Sequence, residues 1–277
     1  MNSKMPNSRR NLDIAIERLF PDRNTAIQAR RTIANVIVGQ MMPEGVVKGG
    51  SAMKVRFGFD KTRGSRDLDT ARTKDVESFI KALSEELERG WNGFTGRIVP
   101  LTSASPEGVP PQYVMQPFEV KLNYNAKPWL TVPLEVGHDE IGDADEPEYY
   151  IAPDIIKMFR SLGFPDPAPL PLMPLHHQIA QKLHGASEPG STRFHDLADL
   201  QIIVTREEID WKKTKETCMK LFKYRMQQQW PPTVVENEGW ADGYAVLVED
   251  EKIEVLQSIE QAIEWTNELI RRIETVE

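Results

Sequence analysis

Two aspartates separated by one leucine are the residues of this chain whose types and spacing most directly suggest chemistry. Asp67 and Asp69 flank Leu68 and follow a Gly-Ser-Arg turn. Alternate side chains of a strand share one face, so both carboxylates would point to one side and Leu68 to the core. Two carboxylates at this spacing can share Mg²⁺, a hard cation that leaves coordination sites for substrate phosphates. The pair predicts a magnesium site, with an ordinary polar surface strand as the alternative.

A third carboxylate is available in a later apolar segment. Glu135 lies between Leu134 and Val136 in the run LTVPLEVGH. Placed on a neighbouring strand, it would complete the site and could hold a second metal ion about 4 Å from the first. A surface-facing acid at the end of a strand is the alternative. We predict that Asp67, Asp69 and Glu135 are the metal ligands, for Mg²⁺ or for Mn²⁺ as a substitute.

A glycine pair upstream suggests a phosphate cradle. Lys48-Gly49-Gly50-Ser51 follows the apolar pair Val46-Val47. Glycines let backbone N–H groups approach phosphate oxygens, and a following hydroxyl adds a donor at the start of the next helix. A lone Gly-Gly-Ser string is also typical of a plain turn. Its position, with Ser51 sixteen residues before Asp67, favours the cradle.

Taken together, these motifs resemble the nucleotidyltransferase superfamily related to DNA polymerase β. The order is K-G-G-S, then R-x-S-x-D-x-D from Arg63, Ser65, Asp67 and Asp69, then the acid Glu135. In the second half, QIAQKLH (178–184) and RFHDLADL (193–200) are similar to the I-x-x-K-L and R-D-L-x-D-L signatures of the AbiEii/AbiGii toxin family. That family comprises nucleotidyltransferase toxins of bacterial toxin–antitoxin and phage-defence systems, with the mycobacterial MenT toxins as relatives.

The resemblance implies an enzyme that transfers an NMP from an NTP to an acceptor. Gly49, Gly50 and Ser51 would hold the triphosphate, with Arg63 and Ser65 as further substrate-binding residues of the motif. Lys182 would contact phosphates, and Asp196 and Asp199 match the last motif, where one of them would face the nucleotide. The family usually has Arg directly before that first aspartate, whereas this chain has His195 there and Arg193 two positions earlier.

The resemblance also implies partners. It suggests an RNA acceptor, for example a tRNA 3′ end, and a cognate antitoxin. Residues 212–225 carry six basic residues and one acid, Glu216, and we predict acceptor contact there, with a solvated helix face as the alternative. The formal net charge of -8 excludes only a protein covered with positive charge.

Two competing interpretations remain open. Asp67-Leu68-Asp69-Thr70 fits the D-x-D-x-T string of haloacid-dehalogenase-like phosphatases, whose first aspartate is a nucleophile. That motif follows an apolar strand, whereas R-G-S-R precedes it here, which disfavours the phosphatase. A catalytically degenerate nucleotidyltransferase acting as an interaction module is the non-enzymatic alternative.

The predicted fold class is α+β. A nucleotidyltransferase-type mixed sheet flanked by helices would occupy residues 1–150, and a mainly helical domain with Lys182, Asp196 and Asp199 would occupy residues 151–277. The Pro-rich run 165–174 is predicted to be a connector. Apolar alternation predicts strands at 97–101, 113–122 and 129–136. Helical spacing predicts helices in the first forty residues and at 73–88, 154–162, 175–185, 194–204, 207–228 and 251–274.

Composition indicates the compartment. No run of about 18 apolar residues is present, so a membrane span is not expected. The N-terminal residues lack the apolar segment of a secretory signal. The chain has one cysteine, Cys218, which excludes an internal disulfide framework and predicts a reducing, cytoplasmic location.

Overall fold

Seven strands, counted over the part of the chain that the structure describes, form one mixed sheet in the first of two units. The computed structural model describes residues 4–102, 114–251 and 253–277. The first unit comprises Met1–Phe59 and Gly64–Met173, and the second comprises Asp60–Arg63 and Pro174–Glu277.

The strand order is β3-β4-β5-β2-β1-β7-β6. β2 pairs in parallel with β5 and β1 pairs in parallel with β7, while the other neighbours are antiparallel. The mixed sheet confirms the predicted α+β class. The strands are β1 (Gly45–Lys48), β2 (Leu68–Arg72), β3 (Phe94–Pro100), β4 (Gln116–Tyr124), β5 (Lys127–His138), β6 (Glu148–Tyr150) and β7 (Leu170–Leu172).

Helices are interspersed with strands along the chain in the first unit. They make up nearly all of the regular secondary structure in the second unit. None of the helices within the described residues is both long and apolar enough to cross a membrane. The first unit has α1 (Arg9–Leu19), α2 (Arg23–Gln40), α3 (Gly49–Phe57), α4 (Val76–Arg89) and α5 (Pro153–Ser161). The second has α6 (Leu175–Ser187), α7 (His195–Arg206), α8 (Trp211–Arg225), α9 (Trp240–Glu251) and α10 (Ile259–Glu274).

The register of the central strands sorts their side chains between two faces. Leu68 of β2 lies opposite Leu134 of β5. Both are buried in the hydrophobic core that includes Ile33 and Ile37 of α2. Because side chains alternate along a strand, the intervening residues face away from this core. Leu68 therefore points to the core, as its place between two aspartates predicts.

Helix boundaries differ from the prediction by a few residues. The helix predicted at 207–228 begins later, because residues 205 and 206 still belong to the end of α7. α8 begins after Asp210, whose carboxylate accepts the backbone N–H of Lys213 at 2.9 Å. Asp22 caps α2 in the same way.

Two further segments were only partly anticipated. The helix predicted at 251–274 is shorter, because α10 begins only after its cap Ser258, and Glu251 is the last residue of α9, a helix that was not predicted. The first forty residues likewise form two helices, α1 and α2. The strand predicted at 113–122 begins at Gln116, and Tyr113 lies outside the described residues.

The Pro-rich run is part of the sheet and not merely a connector. Leu170–Leu172 forms β7, in which Leu172 lies opposite Val47 of β1. Proline normally argues against a central strand because it cannot donate a ladder hydrogen bond. β7 needs few such bonds, since it is three residues long. Residues 151–173 consequently belong to the first unit, which differs from the sequence-based division at residue 150.

We expect Leu172→Ala to destabilise the chain by about 2–5 kcal/mol, because Leu172 is fully buried and a large-to-small core substitution leaves a cavity. Pro171→Ala, in the same strand but half-buried, is the matched control and should change stability by less than about 1 kcal/mol. Urea unfolding of both variants checks this. Equal small losses would mean that the run is a surface connector.

Candidate active site

A row of three charged side chains crosses the middle of the sheet. Lys48 of β1 lies opposite Asp69 of β2, and Asp69 lies opposite Glu135 of β5. Neighbouring strands are about 4.8 Å apart, so each backbone places its side chain next to the following one. The row lies on the face opposite to Leu68 and Leu134. Two of the predicted metal ligands, Asp69 and Glu135, are therefore adjacent.

Asp67 directly precedes β2, and hydroxyl groups hold its backbone. The Ser51 hydroxyl donates to the Asp67 carbonyl oxygen at 2.6 Å, and the Ser65 hydroxyl donates to the same oxygen at 3.1 Å. Ser51 lies in the first turn of α3 and is buried. These bonds fix the peptide group through which the chain enters β2. The predicted contacts of Ser51 and Ser65 with substrate stay predictions.

Gly49 leaves room for the Asp69 carboxylate. Its φ is +61°, and a Cβ placed on Gly49 would lie 2.0 Å from Oδ2 of Asp69. An L-residue is strained at this backbone angle, and here the side chain would also collide with a carboxylate. The first glycine of the K-G-G-S motif is thus required by the fold next to Asp69.

The start of α3 presents backbone donors beside this row. No side chain caps α3, and the first N–H groups of any α-helix lack intrahelical acceptors. Such groups, together with the helix dipole, favour anions. The geometry supports the predicted role of Gly49 and Gly50 as a phosphate cradle, which itself stays a prediction.

The donor chemistry fits Mg²⁺, but a complete ligand set is not assembled. Asp67, Asp69 and Glu135 supply hard carboxylate oxygens, the ligands that Mg²⁺ prefers. Among residues 4–102, 114–251 and 253–277, however, no three His, Cys, Asp or Glu side chains lie close enough together to hold a metal ion. The magnesium site therefore remains a prediction carried by residue types and strand register.

A buried acid lies in the loop that follows β5. Asp143 is fully buried, and its carboxylate accepts the backbone N–H of Glu140 at 3.1 Å. Burial raises the pKa of Asp143 to about 8, opposed by the positive charge of Lys48 and reinforced by a hydrogen bond with Asp139. The ammonium of Lys48 lies over Gly137, where a Cβ would be 3.1 Å from Nζ. Lys48, the cationic member of the row, thus interacts electrostatically with the buried acid of this loop.

In the second unit, the charged motif residues of α6 and α7 form a buried ion network. Lys182 Nζ contacts Asp196 Oδ1 at 3.0 Å and Asp199 Oδ2 at 2.6 Å. Arg63 donates to both oxygens of Asp199, at 3.2 and 3.0 Å. Burial alone would raise the pKa of Asp199, but Arg63 and Lys182 hold it below its ordinary value. The structure thus brings Lys182, Asp196 and Asp199 together and adds Arg63 to them, a contact that the sequence did not predict, and their catalytic or substrate roles stay predictions.

Arg193 supplies the charge that His195 lacks. Burial, followed by the charge of Arg63, lowers the pKa of His195 to about 4, so the imidazole is neutral near pH 7. Arg193 Nε contacts Asp196 Oδ2 at 2.6 Å, and the Arg193 side chain is 49% exposed. The arginine two positions before the expected place therefore pairs with the motif aspartate.

Comparison with known proteins identifies the family. Residues 34–269 match the family described as nucleotidyl transferase AbiEii toxin, type IV toxin–antitoxin system. The chain belongs to the AbiEii family. It is accordingly a toxin nucleotidyltransferase, with an NTP as substrate and an antitoxin as partner.

Solved structures agree with the fold of this AbiEii protein. It is similar to MenT4, a nucleotidyltransferase toxin from Mycobacterium tuberculosis H37Rv, with a TM-score of 0.60 and 17% identity. The similarity covers 96% of this chain and 90% of MenT4, and at this identity it concerns the fold. No curated protein matches the chain in sequence.

Family membership excludes the phosphatase interpretation of the D-x-D-x-T string. The predicted site residues are divided between the two units of the structure. Gly49, Gly50, Ser51, Ser65, Asp67, Asp69 and Glu135 lie in the first unit, and Arg63, Lys182, Asp196 and Asp199 lie in the second.

Asn35 is a residue of this AbiEii site that sequence reasoning missed. It lies on α2, is 6% exposed, and donates from Nδ2 to the Ser51 hydroxyl at 3.0 Å. A buried amide is costly without a hydrogen-bond partner. The one available signal was a polar residue inside an otherwise apolar helix stretch, Ile33 to Val38, and that pattern does not identify the partner.

For Gly49→Ala we expect a larger loss of stability than for Gly142→Ala. Both glycines have positive φ, +61° and +85°, a strain of about 1–2 kcal/mol for an L-residue. Only at Gly49 must the new Cβ displace the Asp69 carboxylate. At Gly142 the nearest atom is the end of the exposed Asp145 side chain, at 3.0 Å. Urea unfolding measures both, and equal losses would contradict the proposed packing of Asp69.

For Asp143→Asn we expect a pH-dependent gain in stability. The folded protein holds this proton up to about pH 8, whereas the ordinary value is 3.8. The raised pKa of Asp143 therefore makes its full contribution to the free energy of unfolding below pH 4, and this contribution is lost as the pH rises to about 8. Asparagine mimics the neutral acid, so the free energy of unfolding of the variant relative to wild type should rise between pH 4 and 8, by on the order of a few kcal/mol.

Urea unfolding at a series of pH values tests this expectation. Asp145→Asn is the matched control for removing one acid from the same loop. A difference between Asp143→Asn and wild type that stays constant from pH 4 to 8 would contradict it.

Proposed function

We propose that this AbiEii nucleotidyltransferase uses Mg²⁺ to transfer an NMP from an NTP to an RNA acceptor, for example a tRNA 3′ end. The observation that carries the proposal is the register of Asp69 and Glu135 on neighbouring strands, with Asp67 immediately before β2. Carboxylates so arranged beside a glycine-led helix start supply the oxygen ligands and phosphate donors that nucleotidyl transfer requires.

The chain's own residues would mainly bind and orient the reactants. Asp67, Asp69 and Glu135 would hold Mg²⁺, which when bound neutralises phosphate charge. The backbone N–H groups of Gly49 and Gly50 would orient the triphosphate so that the acceptor hydroxyl attacks the α-phosphorus and pyrophosphate leaves. Positioning and charge neutralisation are the main demands of such a reaction.

The ion network of the second unit suits an anionic ligand. Three cations, Arg63, Lys182 and Arg193, face two carboxylates, Asp196 and Asp199. The network therefore has one more formal positive charge than negative charges, and this count includes the half-exposed Arg193. Phosphate recognition by this network is part of the proposal, with Arg193 rather than the 3% exposed Lys182 as the accessible donor.

One face of α8 supports an RNA acceptor. The exposed basic residues are Lys212, Lys213, Lys220 and Lys223, and they accompany the exposed Met219 and Tyr224. Lys215 is directed elsewhere, because its ammonium donates to the carbonyls of Glu274 and Val276. A basic face with an aromatic ring suits a nucleic-acid backbone and a stacked base.

The physiological setting belongs to the same proposal. A role in phage defence and a cytoplasmic location follow from the type of system in which the family occurs. Thermal stability with Mg²⁺ and each NTP tests the binding of these ligands, because a ligand that binds the native state raises the melting temperature.

The decisive experiment is incubation with each α-labelled NTP, Mg²⁺ and total cellular RNA. We expect label on RNA from wild type, and a loss of more than about 100-fold in Asp67→Ala and Asp69→Ala, since even outer-shell changes cost 10–100-fold. Asp60→Ala, an exposed acid seven residues before Asp67, is the matched control and should retain activity. Transfer that survives the combined Asp67→Ala and Asp69→Ala substitutions would overturn the mechanism.

A further inference from the structure

A buried amide on α2 is connected to the D-x-D segment through a single hydroxyl. Asn35 is 6% exposed, and its Nδ2 donates to Ser51 Oγ at 3.0 Å. Ser51 Oγ lies 2.6 Å from the Asp67 carbonyl oxygen and 3.4 Å from Ser65 Oγ. α2, α3 and the residue before β2 thus meet at one oxygen atom.

The direction of these hydrogen bonds follows from what each group can donate. An amide NH₂ can only donate, so the Ser51 oxygen must be the acceptor toward Asn35. The one hydroxyl proton of Ser51 is then free for another acceptor, and the Asp67 carbonyl is much nearer than Ser65 Oγ. Asn35 therefore orients the Ser51 hydroxyl onto the Asp67 carbonyl.

The Asp67 carbonyl is held from two sides. Ser51 and Ser65 both donate to it, which uses both lone pairs of the oxygen. The peptide group between Asp67 and Leu68 is thereby fixed where the chain enters β2, and with it the direction of the Asp67 side chain. Groups that hydrogen-bond to a metal-binding residue, without contacting the metal themselves, commonly change the affinity of the site for the metal.

The surroundings leave little room for a substitute. The adjoining cavity has a volume of about 10 Å³ and is lined by Thr32, Asn35, Ser51, Lys54, Val55 and Ser65. That is space for about one water molecule. A residue of similar volume without an N–H at position 35 therefore removes the side-chain donor to Ser51, and the cavity has no room for another side chain in its place.

We propose that Asn35 is a positioning residue for the metal ligand Asp67, acting through the hydroxyl of Ser51. The inference rests on the proposed function, because it takes Asp67 as a ligand of the divalent cation. It adds a residue from α2, 32 positions before Asp67 in the sequence, which none of the nucleotidyltransferase motifs includes.

The test measures Mn²⁺ affinity by the electron paramagnetic resonance signal of the free ion, without nucleotide. Asn35→Asp keeps the shape, but its carboxylate accepts the Ser51 proton and removes it from the Asp67 carbonyl. Asn35→Leu removes the donor without adding charge. We expect both to weaken Mn²⁺ binding by about 10-fold or more. For Asn35→Asp this is opposite to the effect of an added negative charge, which by itself would strengthen cation binding.

A double-mutant cycle determines whether Asn35 acts through Ser51. Ser51→Ala should weaken binding as well, and adding Asn35→Leu to it should change the affinity by less than about 2-fold, since coupled residues are non-additive. Ser51→Thr keeps the hydroxyl and should restore binding. Thr32→Val, a buried polar residue of the same cavity that is not bonded to Ser51, is the control and should bind as wild type does.

The outcomes are distinct. If wild type binds Mn²⁺ and both Asn35 variants bind equally well while their melting temperatures fall, Asn35 is only structural and the inference is overturned. Additive effects of Asn35→Leu and Ser51→Ala would also overturn it. If wild type itself neither binds Mn²⁺ nor transfers an NMP, the proposed metal site fails first. If one Asn35 variant does not fold, the other carries the comparison.

Discussion

The register of β2 is the constraint on which the candidate site depends. β2 pairs antiparallel with β1 and parallel with β5, and its Leu68 is buried in the main core. Strand side chains alternate with a period of two, so a slip of one residue would send Asp69 into the core and Leu68 to the opposite face. Burial of Leu68 and Leu134 therefore holds Asp69 and Glu135 side by side. The positions of Asp69 and Glu135 on the sheet are thus fixed by the buried leucines that directly precede them in their strands.

The second unit uses a different physical principle. Asp196 and Asp199 are fully buried, and isolated buried carboxylates would be strongly destabilising. Lys182, Arg63 and Arg193 offset that cost by charge-assisted hydrogen bonds. The network also joins the short segment Asp60–Arg63 to α6 and α7, because Arg63 contacts both oxygens of Asp199. Removing Lys182 would leave each buried carboxylate with one cationic partner instead of two, so Lys182 contributes to folding whatever its role toward substrate.

Sequence reasoning could predict the parts of this protein that depend on local pattern. The alternation around Leu68 predicted the strand and its faces, whereas the packing of Asp69 against Gly49 was found only in the structure. It missed β7, because proline argues against a central strand and because β7 is held by pairing with strands from elsewhere in the chain, β1 and β6. It also missed Asn35, whose partner Ser51 lies sixteen residues away on another helix. Such contacts depend on how helices pack, and sequence periodicity carries no information about them.

Arg193 and His195 illustrate how motifs should be judged. By position, the chain departs from the AbiEii signature, because histidine stands where arginine is usual. By contact, the motif aspartate Asp196 nevertheless has an arginine partner, since Arg193 is three residues before Asp196 and reaches its carboxylate from the segment just before α7. A neutral His195 could not replace that charge near pH 7, given the lowered pKa of its half-buried imidazole. The ion pair at the start of α7 therefore depends on the length of the Arg193 side chain, which reaches Asp196 from three residues earlier in the sequence.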